Sequence, residues 1–134
     1  METKGLTKKE FLGKIFKENG LTQEDFFKHQ HYTIITRSGI EKIQANNKIV
    51  VKYDLEKCET NFCVVKAVAT KDDTYVETYG SALKGSTHKD GSTNTWYVAE
   101  MAEKRAFSRA ILKIMGMYEH GVFGEDESES FKKS

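Results

Sequence analysis

The sequence predicts an α+β domain in which a three-stranded antiparallel β-meander packs on one long C-terminal helix, a β-β-β-α core preceded by short N-terminal helices. Three observations support this fold class. The spacing of apolar residues changes from a helical period to a period of two after Asn47. Short turns separate the strand-like segments that follow, which indicates antiparallel neighbours. Residues 96–116 then regain a helical period.

The N-terminal region is predicted to contain short helices. Thr7 and Glu10 form a capping-box pattern for a helix that ends near Asn19, before Gly20. A second short helix is expected over residues 22–27.

A third short helix is predicted after a brief extended segment at residues 32–36. Ser38 and Glu41 form its capping pattern, and the helix is expected to end at Asn46 and Asn47. The helical period stops there, so the meander is expected to begin directly afterwards.

Alternating apolar and polar residues predict the three strands of the meander. The strands are expected at residues 49–56, 62–70 and 74–82, with a turn at 71–73. In the first strand the alternation predicts one buried face, made by Ile49, Val51, Tyr53 and Leu55.

The long helix carries a strip of small residues bordered by positive charges. The strip consists of Ala99, Ala102, Ala106 and Ala110, and it would let the helix lie close against a sheet. A set that we call the basic row recurs every four residues along its border, and it consists of Arg105, Arg109 and Lys113. Such a row suits a phosphate chain, but an ordinary solvated helix face would carry a similar pattern.

Composition favours one domain over residues 1–124, followed by an acidic, disordered tail at 125–134. The chain has 134 residues, of which 38% are hydrophobic and 31% are charged, and its net charge is +1. The basic segment 84–117 and the acidic tail partly cancel in that sum. Neither a membrane-spanning run nor a secretion signal is present, which favours a cytoplasmic protein that makes no membrane contact.

Neither a cofactor nor a metal ion is expected. Cys58 and Cys63 would face each other across a hairpin, and in a reducing cytoplasm we expect them to be free thiols. His29 and His31 have no spacing to the cysteines that is typical of a zinc site.

An enzymatic function is not expected, although carboxylates are plentiful. A nuclease would need them to hold Mg²⁺, and the candidates are Asp54, Glu56, Asp72, Asp73 and Glu77. Acids that alternate along the exposed face of a strand need no metal to explain them, and no nucleophile elbow, P-loop or HExxH motif is present.

Three stretches resemble a known superfamily in their order and spacing. They are TRSGIEKI at 36–43, TYGSA at 78–82, and the helix from 102 to 116 with its A-x-x-R-A spacing and closing glycine. The chain resembles the single-strand annealing proteins of recombination, a superfamily that includes the eukaryotic Rad-fifty-two N-terminal domain and several phage annealing proteins. The resemblance covers about two thirds of the chain, which lacks the additional helices of larger members.

The resemblance implies sequence-independent binding of single-stranded DNA in a groove between the meander and the long helix, by a homo-oligomeric ring or filament. By position, the resemblance assigns contacts with the DNA backbone to Arg37, Arg109 and Lys113. Charge and placement add Lys84, Trp96, Lys104 and Arg105. Trp96 would either stack on a base or belong to the core at the start of the helix.

The expected function is therefore strand annealing in homologous recombination, in a bacterial host cytoplasm if the protein is phage-encoded. The segment 84–95 is either a plain connector or a cover over the bound strand, and the acidic tail either adds solubility or recruits a recombination partner protein. One alternative is a duplex-binding helix-turn-helix protein that uses the first 46 residues. Another is a protein-binding module, which exposure of Phe107 and Ile111 would favour.

Overall fold

The computed structural model describes residues 8–29, 32–85, 97–118 and 121–125. Within these ranges the chain forms three helices and two three-stranded sheets. In chain order the elements are α1 (Lys8–Asn19), β1 (Phe26–His29), β2 (Tyr32–Ile35), α2 (Arg37–Asn47), β3 (Val50–Cys58), β4 (Phe62–Lys71), β5 (Thr74–Leu83), α3 (Val98–Ile114) and β6 (Val122–Gly124). The α+β class is confirmed. The prediction of a single sheet is wrong, because three further strands form a second one.

The first sheet is the antiparallel meander β3-β4-β5. Short loops connect its strands. Backbone hydrogen bonds between Glu59 and Phe62 close the first hairpin, and the pair of Lys71 with Thr74 closes the second. Asp72 in the second loop has φ 54°, a left-handed conformation that aspartate tolerates better than most residues.

The second sheet has the order β1-β2-β6, with β6 parallel to β2. The prediction of a helix at residues 22–27 is wrong, because strand β1 begins at Phe26, which pairs with Ile35 of β2. Aromatic residues favour strands, and pairing with β2 satisfies the backbone of this segment. β6 has three residues, too few for an alternating pattern to show in the sequence.

α2 begins earlier than predicted. Thr36, rather than Ser38, is its N-cap, and the Thr36 hydroxyl accepts a hydrogen bond from the Gly39 amide. Ser38 lies in the first turn and donates to the buried carboxylate of Asp25 at 2.6 Å. Lys42 and the amide of Thr22 donate to the same carboxylate at 2.6 and 2.9 Å. Asp25 therefore joins α2 to the segment that leads into β1.

α3 packs between the two layers of the molecule. Ala102, Ala106 and Ala110 are fully buried, whereas Ala99 is half-buried, so the predicted strip is confirmed for three of its four alanines. The other side of the helix packs against α2 and β6, where the fully buried Ser108 lies beside Gly124. α3 is therefore a core helix, and Gly116, with φ 69°, follows its end as predicted.

α3 approaches the backbone of β5 closely at Gly80. A Cβ atom on this residue would overlap the backbone of Ala102 and Ala106. Next to it, the hydroxyl of Thr78 donates a buried hydrogen bond of 2.8 Å to the carbonyl oxygen of Ala106. Small side chains on both elements are therefore required for this contact.

The prediction of a buried face on β3 is only partly correct. Ile49, just before the strand, is buried and Val51 is half-buried, whereas Tyr53 is 41% and Leu55 62% exposed. The reason is the position of α3, which lies over β4 and β5 and touches β3 only at its border.

Several predictions concern residues outside the described ranges. They are the Thr7 cap, the side chain of His31, the loop beyond residue 85, Trp96 and the tail beyond residue 125. Among the helices that the structure describes, none combines the length and apolar character that a membrane span requires.

We predict that Gly80→Ala destabilises the fold by about 2–3 kcal/mol, because the added methyl group forces α3 away from β5. Gly13→Ala is the matched control. Gly13 lies in the middle of α1, and an added methyl group there would have no neighbour within 4 Å among the described residues, apart from the backbone of α1 itself, so this change should stabilise by about 1 kcal/mol. Urea denaturation measures both values, and equal effects of the two substitutions would contradict the close packing.

We also predict acid-sensitive stability that depends on Asp25. Burial raises the pKa of this carboxyl. Hydrogen bonds from Lys42, Ser38 and the Thr22 amide together lower the pKa by more than burial raises it, so the pKa lies well below the ordinary value. A depressed folded-state pKa adds stability above the unfolded value of about 3.9, and this stability is lost as the pH falls below it.

The test compares wild type with Asp25→Asn by urea denaturation between pH 7 and pH 2. The variant should lose about 2 kcal/mol at pH 7, because a charged hydrogen-bonding group is gone, and its stability should depend less on pH. Parallel pH profiles for the two proteins would show that Asp25 has no such role.

Candidate nucleic-acid interface

The basic row of α3 lies along the edge strand β5 and hydrogen-bonds to its backbone. Arg105 Nη1 donates to the carbonyl of Ser81 at 2.8 Å, and Arg109 Nη1 donates to that of Tyr79 at 2.7 Å. Lys113 Nζ completes the row with a longer bond of 3.4 Å to the carbonyl of Glu77. Three cations one helical turn apart thus contact alternate residues of one strand.

Helix and strand geometry explain this match. Four residues of an α-helix advance about 6 Å along the axis, and two residues of a strand advance about 6.8 Å. α3 and β5 run in opposite directions here, since the helix numbers rise as the strand numbers fall. The four-residue spacing of the basic row therefore suits the two-residue spacing of carbonyls at an open sheet edge.

The carbonyl contacts orient the three cations along β5. Accessibility differs along the row: Arg105 is only 7% exposed, Arg109 is half-buried and Lys113 is exposed. Arg109 and Lys113 are therefore the members of the row that a ligand in solvent can reach. Arg105 serves mainly to join α3 to β5.

The other predicted residues lie at different places. Lys84 follows β5, and its backbone N–H donates to the carbonyl of Asn61 at 2.7 Å. Lys104 is exposed, but it is one residue from Arg105 and so projects about 100° away from the basic row. Trp96 lies outside the described ranges. The structure thus brings together Arg105, Arg109 and Lys113, with Lys84 beyond the end of β5.

Arg37 lies apart from the basic row. Its guanidinium is 4.3 Å from the centroid of the Phe107 ring, and its Nε is 3.2 Å from a carboxylate oxygen of Glu41. A cation over an aromatic face is stabilising. Burial raises the pKa of Tyr53, and the charge of Arg37 partly opposes that effect.

The β3 side of α3 is acidic and concave. A cavity of about 280 Å³ lies there, and its lining consists of Tyr53, Leu55, Val65, Ala99, Glu100 and Glu103. Burial raises the pKa of Tyr53, and the nearby carboxylate of Glu103 raises it further. The expected groove between meander and helix therefore exists in part, but acids rather than the basic row line it.

The two cysteines are opposite each other, as the sequence predicts. Cys58 of β3 and Cys63 of β4 are register partners across the first hairpin, and both are free thiols. Burial raises the pKa of Cys63 to about 11, and a hydrogen bond with Cys58 contributes in the same direction. Cys63 is therefore protonated at neutral pH and has little nucleophilic character.

The structure differs from two features named for the alternatives. The helix-turn-helix alternative included a helix at residues 22–27, where the structure has a turn and strand β1. Exposure of Phe107 and Ile111 would favour a protein-binding module, and they are 3% and 0% exposed.

Two of the five acids considered for a nuclease lie beside the same lysine. Asp54 and Glu77 each lie 3.9 Å from Lys66 Nζ, on the meander face that points away from α3. In the part of the chain that the structure describes, no three His, Cys, Asp or Glu side chains converge on a possible metal site.

Comparison of the chain with protein-family models, with curated proteins and with solved structures found no match. The geometry of the basic row is therefore the main basis for a functional proposal.

Proposed function

We propose that this protein binds single-stranded DNA without sequence preference, with the phosphate backbone along the β5 side of α3, and that it promotes strand annealing in homologous recombination. One observation carries the proposal: the basic row is fixed at regular spacing along an open sheet edge by hydrogen bonds to β5 carbonyls. Fixed, evenly spaced cations suit a ligand with evenly spaced phosphates.

The mechanism requires no bond-breaking chemistry. Contacts of Arg109 and Lys113 with phosphates are independent of sequence, and they leave the base edges open to a second strand. Pairing between complementary bases then supplies the specificity. Arg105 keeps α3 against β5, so that the two accessible cations stay in place.

Self-association is part of the proposal. Among the described residues, the meander has an unpaired edge at β3 and another at β5. Because Arg109 and Lys113 beside β5 are assigned to the phosphates, the contact between copies would use other surfaces. A head-to-tail contact between two different surfaces closes into a ring or continues as a filament. In such an assembly, Arg37 of each copy would add a further contact with the backbone. The proposed setting is the cytoplasm, of a bacterial host if the protein is phage-encoded.

We predict that Arg109→Gln together with Lys113→Gln weakens binding to a labelled 30-nucleotide oligo(dT) by about tenfold in fluorescence anisotropy. Each lost phosphate contact should also reduce the slope of log affinity against log salt by roughly 0.7. The wild type should bind a duplex of equal length more weakly than the single strand.

The matched control is Lys14→Gln with Lys17→Gln on α1, which removes the same charge from a helix that packs on α2. This control should bind nearly as tightly as the wild type. Equal losses of affinity in the two double variants would show that net charge alone explains the effect, and this would contradict the assigned surface. Tighter binding to duplex than to oligo(dT) would contradict the proposal as well.

A further inference from the structure

The meander has a second face, opposite α3, which we call the outer face. On β5 the buried residues Thr78, Gly80 and Ala82 point towards α3, so the residues between them point to the outer face. Two of the outward residues of this strand are tyrosines, Tyr75 and Tyr79, which are 66% and 50% exposed.

Tyr79 connects the outer face with the basic row. Its carbonyl accepts the hydrogen bond from Arg109, while its ring projects onto the outer face. The next outward residue, Glu77, gives its carbonyl to Lys113. The exposed rings and the accessible cations therefore lie along the same strand, on adjoining surfaces.

The outer face also carries charged side chains. Lys66 is directly opposite Tyr79 in the register, and its ammonium lies 3.9 Å from both Asp54 and Glu77. Half-buried Val64 and Val68 flank Lys66 on β4. On β5 the outer face thus presents two exposed tyrosines with Glu77 between them, and the carboxylate of Glu77 lies near Lys66. Arg109 and Lys113 lie along the adjacent edge.

We propose that Tyr79 and Tyr75 form a stacking platform for the bases of a single strand whose phosphates lie on Arg109 and Lys113, an inference that rests on the function proposed above. Along β5 the two accessible cations would be about 6 Å apart and the two tyrosine rings about 13.6 Å apart. The rings are thus spaced more widely than the cations, so only some of the bases between them would stack. Stacking uses the flat face of a base and leaves its hydrogen-bonding edge free for annealing.

The combination of rings and cations selects the ligand class. Exposed aromatic side chains interleaved with positive charge bind single-stranded nucleic acid, because every base has a face that can stack. A purely apolar partner would gain nothing from the cations at the border. A duplex would hide its base faces within its own stack.

The experiment measures anisotropy with two labelled 30-mers, oligo(dT) and an abasic strand with the same number of phosphates. The wild type should bind oligo(dT) at least tenfold more tightly than the abasic strand. Tyr79→Leu should lower the affinity for oligo(dT) about tenfold and leave the abasic affinity nearly unchanged, because it removes one stacking ring. Tyr79→Phe should retain wild-type affinity for both strands.

Tyr53→Leu is the matched control, since Tyr53 is an exposed tyrosine on the other face of the sheet, in the acidic cavity. It should leave both affinities unchanged. Equal wild-type affinity for the two strands would overturn the platform and leave the proposed function standing. An altered sedimentation coefficient in Tyr79→Leu, with unchanged preference for oligo(dT), would also overturn it, because the outer face would then be a contact between copies. Failure of the wild type to bind either strand would overturn the proposed function and the platform together.

Discussion

The backbone of α3 lies directly against the backbone of β5 at Gly80, and much of the structure depends on this contact. Because the helix is so close, the alanines of its strip are buried and the Thr78 hydroxyl reaches the carbonyl of Ala106. For the same reason, the long side chains of Arg105 and Arg109 reach beyond the helix to the carbonyls of β5. A helix held farther away would leave these side chains in solvent, in no fixed order.

The close contact also places negative and positive side chains on different sides of α3. A helix centred over β4 and β5 leaves β3 largely uncovered, so that Tyr53 and Leu55 line a cavity together with Glu100 and Glu103. The opposite side of the helix presents Arg109 and Lys113. The interface proposed for a negatively charged polymer is therefore placed on the β5 side, where these cations lie, and away from the two glutamates.

The sequence predicts the elements with strong periodicity and misses those that depend on distant pairing. The meander strands and α3 lie within two residues of their predicted positions, since alternation and the alanine strip are local signals. The local pattern predicts a helix in place of β1 and gives no sign of β6, because both are strands only through pairing with β2. The exposure of Leu55 is not predictable either, because it depends on where α3 crosses the sheet.

The candidate site is predictable in its residues but not in its contacts. The four-residue spacing of the basic row is visible in the sequence, whereas its carbonyl partners depend on the register between α3 and β5. The burial of Arg105 and the separation of Arg37 from the row have the same origin. The tyrosines of the outer face carry no signal in the sequence, because alternation alone does not show which face of a strand a helix covers.

The most direct test of the central claim is a chemical-shift map of ¹⁵N-labelled protein titrated with oligo(dT) at low salt. The account predicts that the largest changes occur at the β5 amides and at the Arg109 side-chain Nε, with little change at Glu100 and Glu103. Changes confined to the acidic cavity, or the absence of any change at saturating oligonucleotide, would contradict the assignment of the β5 side of α3 as the DNA-binding surface.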